Sequence, residues 1–212
     1  MNRSGYPNVH VRLHLTQHTP DHPPRDCEVE IWLKDTRFRV RDLSGRRVDE
    51  ILGDVTAPRQ LGALPRTIED LMDRDAAARG RASQPPPPTE LYGDLASDDG
   101  WVYPPRRPPA EMRAAKLAPA AEQILARNKM TGLQIGATAT RLGRPTTAYH
   151  GFVMVSDDGE PYQNDVTRAI SPPYLLFEAT RSTANADLSY VREIVALDEG
   201  GVTDADVTPP AK

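Results

Sequence analysis

The sequence predicts a mainly β protein, an α+β fold in which one antiparallel sheet is accompanied by two or three helices. Residues of alternating polarity occupy much of the first forty positions, and a second series of alternating segments, separated by turn residues, runs through 131–197. Alternation with β-branched residues is typical of half-buried strands, and the hairpin-like spacing favours an antiparallel meander. At 212 residues, the whole chain 1–212 is predicted to form a single domain.

Histidines occur at every fourth position from the first predicted strand onward, namely at His10, His14, His18 and His22. On a helix this spacing would bring imidazoles to one face, where they could share zinc. The alternating apolar residues at 9, 11, 13 and 15 indicate a strand instead, in which residues four apart lie about 13 Å from each other. Prolines beyond position 19 place the last two histidines in a loop. We therefore predict no metal site, with a pH-dependent contact as the alternative.

The segment EVEIWLKDTRFRV predicts a β-hairpin. Its apolar side chains lie at 29, 31 and 33 and then, with changed parity, at 36, 38 and 40, which indicates a two-residue turn at 34–35. This turn would pair residue 31 with 38, and on the other face Trp32 with Arg37 and Glu30 with Arg39. Pairing of opposite charges across the two strands would explain the three arginines at 37, 39 and 41 as structural residues.

The middle of the chain predicts helices and a linker. Residues 64–80 have a capping threonine and an apolar helical face, and 110–128 is alanine-rich, with Pro119 either kinking the helix or opening a second one. The proline-rich segment 80–90 is predicted to be a flexible insertion. Residues 90–103 predict two short strands about a turn.

The C-terminal part predicts strands and then a polar tail. The tail, 198–212, is expected to lie along the surface or to fray. The motif SDDG occurs at 97–100 and at 156–159, which could suggest calcium. The twelve-residue calcium-loop pattern is absent, however, so both copies are predicted to be ordinary turns.

Composition excludes several classes of protein. A net charge of −4 argues against a nucleic-acid-binding protein, and the single cysteine, Cys27, excludes an intrachain disulfide. The sequence shows neither the apolar run of a secretory signal nor that of a membrane span. As the sequence stands we expect a cytoplasmic protein that does not span a membrane, or one of the periplasm or cell envelope if a leader peptide is missing.

No catalytic constellation is present. The sequence lacks a nucleophile elbow, a P-loop, a dinucleotide fingerprint and a zinc-protease motif. Its carboxylates fall in turns or opposite arginines, where nothing would raise their pKa for acid catalysis. We therefore predict a protein that is not an enzyme and that uses no cofactor.

Two stretches carry a family resemblance. EIWLKDTRFRV is an early hairpin with a tryptophan, a turn and a basic–aromatic–arginine run, and DDGWVYPP at 98–105 follows as a second short motif. Together they resemble the LolA/LolB-like lipoprotein carriers and related envelope lipoproteins, whose order of elements is also followed over roughly 9–210. The absence of a lipobox and the proline-rich insertion depart from that family.

The resemblance implies a curved antiparallel sheet or incomplete barrel (a half-barrel), with helices covering its concave face, and a role in binding a lipophilic ligand or lipoprotein acyl chains. Arg39 matches the family's arginine after the aromatic residue and would help to hold the lid. Trp32, Phe38, Trp101 and Tyr103 fall on the matching strands and would line the cavity.

An alternative function is that of a structural or interaction subunit, which docks to another protein through a sheet edge or the proline-rich segment. The two functions make different predictions for the helix of 110–128. A carrier needs an apolar concavity beneath it, whereas a docking subunit would fill that space with its own side chains.

Overall fold

The computed structural model describes residues 5–18, 24–44, 90–103, 112–126, 131–157, 160–183 and 189–211. Within these ranges the chain contains eleven β-strands, one α-helix and a short 3-10 helix. The predicted helix at 64–80, the proline-rich segment up to residue 89, and His22 lie outside the described residues. The one described α-helix is too short to cross a membrane.

The strands are β1 (Tyr6–His18), β2 (Arg25–Asp35), β3 (Arg37–Asp42), β4 (Glu90–Asp94), β5 (Asp99–Tyr103), β6 (Met112–Arg113), β7 (Thr131–Arg141), β8 (Arg144–Asp157), β9 (Glu160–Ser171), β10 (Tyr174–Ser182) and β11 (Ser189–Glu199). The helix α1 (Ala114–Glu122) lies between β6 and β7, and the 3-10 helix (Ala205–Val207) follows β11.

All eleven strands belong to one antiparallel sheet in the order β6-β5-β4-β3-β2-β1-β11-β10-β9-β8-β7. Among the described strands, the pair β1–β11 is the only neighbouring pair that does not follow chain order, and it joins the two halves of the sheet. In the described part of the chain β6 and β7 are the edge strands, and the sheet between them is not closed into a barrel. The predicted antiparallel sheet is confirmed, although the described part of the chain has one α-helix rather than two or three.

The hairpin of β2 and β3 forms where it was predicted, but the predicted register is wrong by two residues. Leu33 pairs with Phe38 and residue 31 with residue 40, because the turn lies at 35–36. Asp35 has φ +54°, a left-handed conformation that aspartate adopts at lower cost than lysine. A shift of two residues keeps every side chain on its predicted face. Trp32 consequently lies opposite Arg39 instead of the predicted Arg37.

One face of the sheet, called here the helix face, packs against α1 and forms the core. Its side chains come from alternate positions of β1–β4 and are buried: Val9, Val11, Leu13, Leu15, Val29, Ile31, Leu33, Phe38, Val40 and Leu91. The helix contributes Leu117 and several buried alanines, whose small side chains allow close approach to the sheet. Pro119 lies on the exposed side within this single helix, so it does not open a second one.

The sheet curves around α1. The amide of Ala114 donates to the carbonyl of Asp98 beside β5 (3.0 Å), and the amide of Leu175 on β10 donates to the carbonyl of Ile124 (2.8 Å). In a flat sheet β5 and β10 would be six strand spacings, or about 29 Å, apart. The eleven residues 114–124, nine of them in α1, span only about 16 Å at the helical rise. The helix face of this half is therefore concave, in agreement with the predicted curved sheet.

The tail after β11 lies along the opposite face of β1–β5. Asn8 binds it at two points, accepting from the amide of Gly200 (2.8 Å) through its carbonyl and from that of Val202 (3.0 Å) through its side chain. Asp204 forms ion pairs with Lys34 (2.9 Å) and Arg37. Of the two predicted behaviours, the tail therefore shows the first, lying along the surface.

Candidate functional site

The structure divides the five predicted binding residues between the two faces of the sheet. Phe38 is on the helix face and fully buried, whereas Trp32, Arg39, Trp101 and Tyr103 are partly buried on the opposite face. The five side chains therefore cannot line one cavity, and Phe38 belongs to the core. A binding role for the other four stays a prediction.

Arg39 is the centre of an aromatic cluster on that opposite face. Its guanidinium lies 4.4 Å from the ring centroid of Trp32 and 5.5 Å from that of Tyr92, and Nη2 donates to Glu90 at 2.6 Å. His10 stacks on Trp32 with centroids 4.6 Å apart. These contacts join β1 to β4 and already occupy the arginine with two rings and a carboxylate.

The same contacts shift two pKa values. Burial opposes ionisation of Glu90, but hydrogen bonds from Arg39 and Tyr92 outweigh it and hold the pKa of Glu90 below its ordinary value. Burial and the bond to Glu90 both raise the pKa of Tyr92. Nearby, the Tyr103 hydroxyl donates to the carbonyl of Pro210 at 3.3 Å, so the tail borders the cluster. These contacts link β1–β4 to one another, and the tail to β5.

The space beneath α1 is filled by the protein itself. Leu117 and Ile124 from the helix segment, and Ile31 and Phe38 from the sheet, are all 0% exposed. In the described part of the chain, no acyl chain has room between this helix and the sheet. The cavity implied there by the family resemblance is not seen in these residues.

A cavity of about 690 Å³ lies instead against β7–β11. Two rows of residues form its wall, and each row has one residue from each of these five strands. We call this cavity the trough. The first row is Gln134, His150, Thr167, Ala179 and Val191, and the second is Gly132, Phe152, Asp165, Arg181 and Ser189. Strand pairing places both rows on the face away from α1.

A long-range ion pair shows how the trough becomes concave. Arg141 on β7 donates through Nη1 to Glu193 on β11 at 2.7 Å, and its guanidinium lies 4.7 Å from the ring of Phe177 on β10. Four strand spacings, or about 19 Å, would separate β7 and β11 in a flat sheet, which is more than two side chains can bridge. The β7–β8 hairpin therefore folds over β10 and β11. Its turn has positive φ at both Leu142 (50°) and Gly143 (72°), as tight hairpins require.

Comparisons with known proteins found similarity to solved structures. A scan against protein-family models and a search of curated proteins found no match to this chain. Solved structures similar to it include LprF from Mycobacterium bovis, with 11% identity, a TM-score of 0.46, and coverage of 96% of this chain and 90% of LprF. A LolA superfamily protein from Nitrosomonas europaea has 9% identity, a TM-score of 0.37, and coverage of 97% and 92%. The family that the motifs resemble is thus present among the structural neighbours.

A third neighbour is a DUF1329 family protein from Desulfovibrio piger, with 9% identity, a TM-score of 0.30, and coverage of 94% of this chain and 89% of that one. With TM-scores below 0.5, nothing about a ligand follows from these similarities.

The trough combines apolar and polar groups. Phe152, Ala179 and Val191 supply apolar surface, and His150 Nδ1 lies 3.1 Å from Thr167 Oγ1. Its described lining contains no cysteine and a single carboxylate, so neither a thiol nucleophile nor a carboxylate pair is available. The arrangement can hold a molecule that has both an apolar part and a polar group.

A buried ion cluster lies on the helix face of the same strands. Glu178 accepts hydrogen bonds from Arg168 Nε and from Arg192 Nη2 (3.0 Å), and these side chains are 2%, 5% and 6% exposed respectively. Each residue comes from a different strand, β9, β10 or β11. Breaking such a cluster would leave a buried charge, so it fixes the register of three strands.

The histidines of β1 contact carboxylates. His10 Nε2 lies 3.5 Å from Glu30, and His14 Nε2 lies 3.4 Å from Asp26. Among the described residues, no group of histidine, cysteine and carboxylate side chains could hold a metal ion. The absence of a metal site stays a prediction. His18 ends β1, so the prediction that it lies in a loop is wrong.

Proposed function

We propose that this protein is a non-catalytic binding protein that holds a lipophilic ligand in the trough. The observation that supports this proposal is the cavity of about 690 Å³. Small-molecule sites commonly measure about 300–1,000 Å³ and combine apolar walls with a few polar groups. The trough has both features, and it is open to solvent along one side, so a ligand could enter without disrupting the core.

The lining supports a lipophilic ligand in particular. Phe152, Ala179 and Val191 border the trough from three different strands. Burying a methylene group against such surface gains about 0.8 kcal/mol. A lipoprotein acyl chain belongs to this class of ligand. Location in the periplasm or cell envelope is part of the same proposal.

Filling the trough tests the proposal. Ala179→Trp would place an indole in the middle of the first row, and Val191→Phe would fill the neighbouring position. We expect the neutral fluorescent probe N-phenyl-1-naphthylamine to bind the unaltered protein, and both variants to weaken binding at least tenfold. Ala115→Trp is the matched control, because Ala115 is exposed on α1. Equal binding by all four proteins would contradict the proposal.

The alternative function, docking to another protein, is favoured by one observation at the sheet edge. Every side chain of β7 is at least partly exposed, and its Leu133 and Ile135 are 53% and 74% exposed. Unpaired backbone groups on an edge strand invite addition of a further strand. Two irregularities in the β7–β8 pairing interrupt this edge, which makes it a poorer template.

Affinity capture from the native host distinguishes this alternative. A docking subunit should retain a stoichiometric protein partner that is lost when Ile135 is replaced by lysine. The same partner should remain with Val195→Lys, which alters another exposed apolar residue on β11. Loss from both variants or from neither would contradict docking through β7.

A further inference from the structure

The charges that border the trough occur in opposite pairs. Arg181 lies directly across the strand pair from Asp165, and Arg141 is bonded to Glu193 at one end of the trough. Among the described lining residues the formal charges therefore cancel when His150 is neutral. No side chain of the described lining supplies a surplus positive charge.

The uncharged polar groups are concentrated at one position. His150 is exposed, and Gln134 lies directly opposite it on β7. The hydroxyl of Thr167, 3.1 Å from His150 Nδ1, can donate to that nitrogen or accept from it. Nε2 can therefore serve as donor or acceptor, which suits a ligand hydroxyl, ester or amide equally.

An anionic head group bound beside His150 would lose contacts with water and would gain no surplus positive charge from the described lining in return. Removing a carboxylate from water is far more costly than removing a hydroxyl that finds a hydrogen-bond partner. Asp165 and Arg181 lie opposite each other, so the repulsion of an anion by Asp165 would offset its attraction by Arg181. A neutral head group would avoid this cost and could bind His150.

We propose that the trough selects uncharged amphiphiles, such as long-chain alcohols, esters or amides, over anionic lipids, and that His150 binds their polar group. This rests on the proposed function, because it requires that the trough is a ligand site. It adds the chemical class of the ligand and the residue that recognises it.

Two competitors of equal chain length test the selection. 1-Decanol and decanoate would each displace N-phenyl-1-naphthylamine from the unaltered protein at pH 8, where the fatty carboxyl group is ionised. We expect decanol to bind at least tenfold more tightly. Equal affinities, or a preference for decanoate, would overturn the inference. Failure of the probe itself to bind would instead remove the proposed function.

Two substitutions of aspartate test whether the charges of the trough set this selectivity. Asp165→Asn should raise the ratio of decanoate to decanol affinity at least fivefold, since it removes the one carboxylate of the described lining. Asp198→Asn is the charge-matched control, because Asp198 is exposed and lies outside the trough lining. It should leave the ratio unchanged. An equal change in both variants would overturn the role of the paired charges.

His150→Leu should weaken decanol at least fivefold relative to the probe, while His150→Gln, which keeps a polar group, should recover part of the loss. If leucine and glutamine give the same decanol-to-probe ratio as histidine, His150 does not bind the polar group. Circular dichroism of each variant would show whether the strand content is retained.

Discussion

Replacing Phe38 with alanine separates a core residue from a ligand-binding one. Its ring is fully buried, lies edge-on to Tyr6 with centroids 6.2 Å apart, and contacts Gly93 so closely that a Cβ there would stand 2.2 Å from Cζ. Because Gly93 has no side chain that could move into the vacated space, the cavity should stay largely open. Phenylalanine-to-alanine changes in cores cost about 3–5 kcal/mol, and we expect about 4 kcal/mol here.

Urea denaturation followed by tryptophan fluorescence at 25 °C would measure this loss. Val195→Ala is the control, because Val195 is 42% exposed and such sites usually change stability by less than about 0.5 kcal/mol. Below the unfolding transition, Phe38→Ala should bind the lipophilic probe as the unaltered protein does. A loss of stability under about 1 kcal/mol, accompanied by loss of probe binding, would refute this reasoning and place Phe38 in a ligand cavity.

Three further predictions concern the fold. The lowered pKa of Glu90 stabilises the folded state above its unfolded value of 4.5, and this contribution is lost as the pH falls through the lower folded value. Glu90→Gln should cost about 1 kcal/mol at pH 7 because it removes charge-assisted hydrogen bonds, and progressively less as the pH falls below 4.5; a pH-independent difference in urea midpoints would contradict this. Gly93→Ala should cost about 1–3 kcal/mol through overpacking; an unchanged melting temperature would argue against the close contact. Asp204→Asn should accelerate hydrogen exchange in the tail 200–211 at pH 7, and unchanged exchange would mean that its ion pairs do not hold the tail.

Alternation predicted the strands and their faces well because it is a local property. It did not determine the hairpin register, since the turn depends on which residue accepts a left-handed conformation, and Asp35 does. The same alternation already placed Phe38 on the apolar face, opposite to Trp32 and Arg39. Only the family resemblance grouped these residues in one cavity, and the structure follows the alternation.

The trough could not be predicted from local pattern. It exists because β7 folds over the sheet to bring Arg141 to Glu193, two residues that are 52 positions apart. The pairing of β1 with β11, which joins the ends of the chain, is equally remote in sequence. The predicted strands of the C-terminal part contained the lining residues, but no periodicity indicated that their polar faces enclose a cavity.

The central claim, that the trough holds a lipophilic molecule, is tested most directly by native mass spectrometry of the protein purified from its own host, followed by lipid extraction. We predict a bound amphiphile without net charge, present on the unaltered protein and on Ala115→Trp but absent from Ala179→Trp. Protein at its bare sequence mass, or a stable protein partner with no extractable lipid, would contradict the claim.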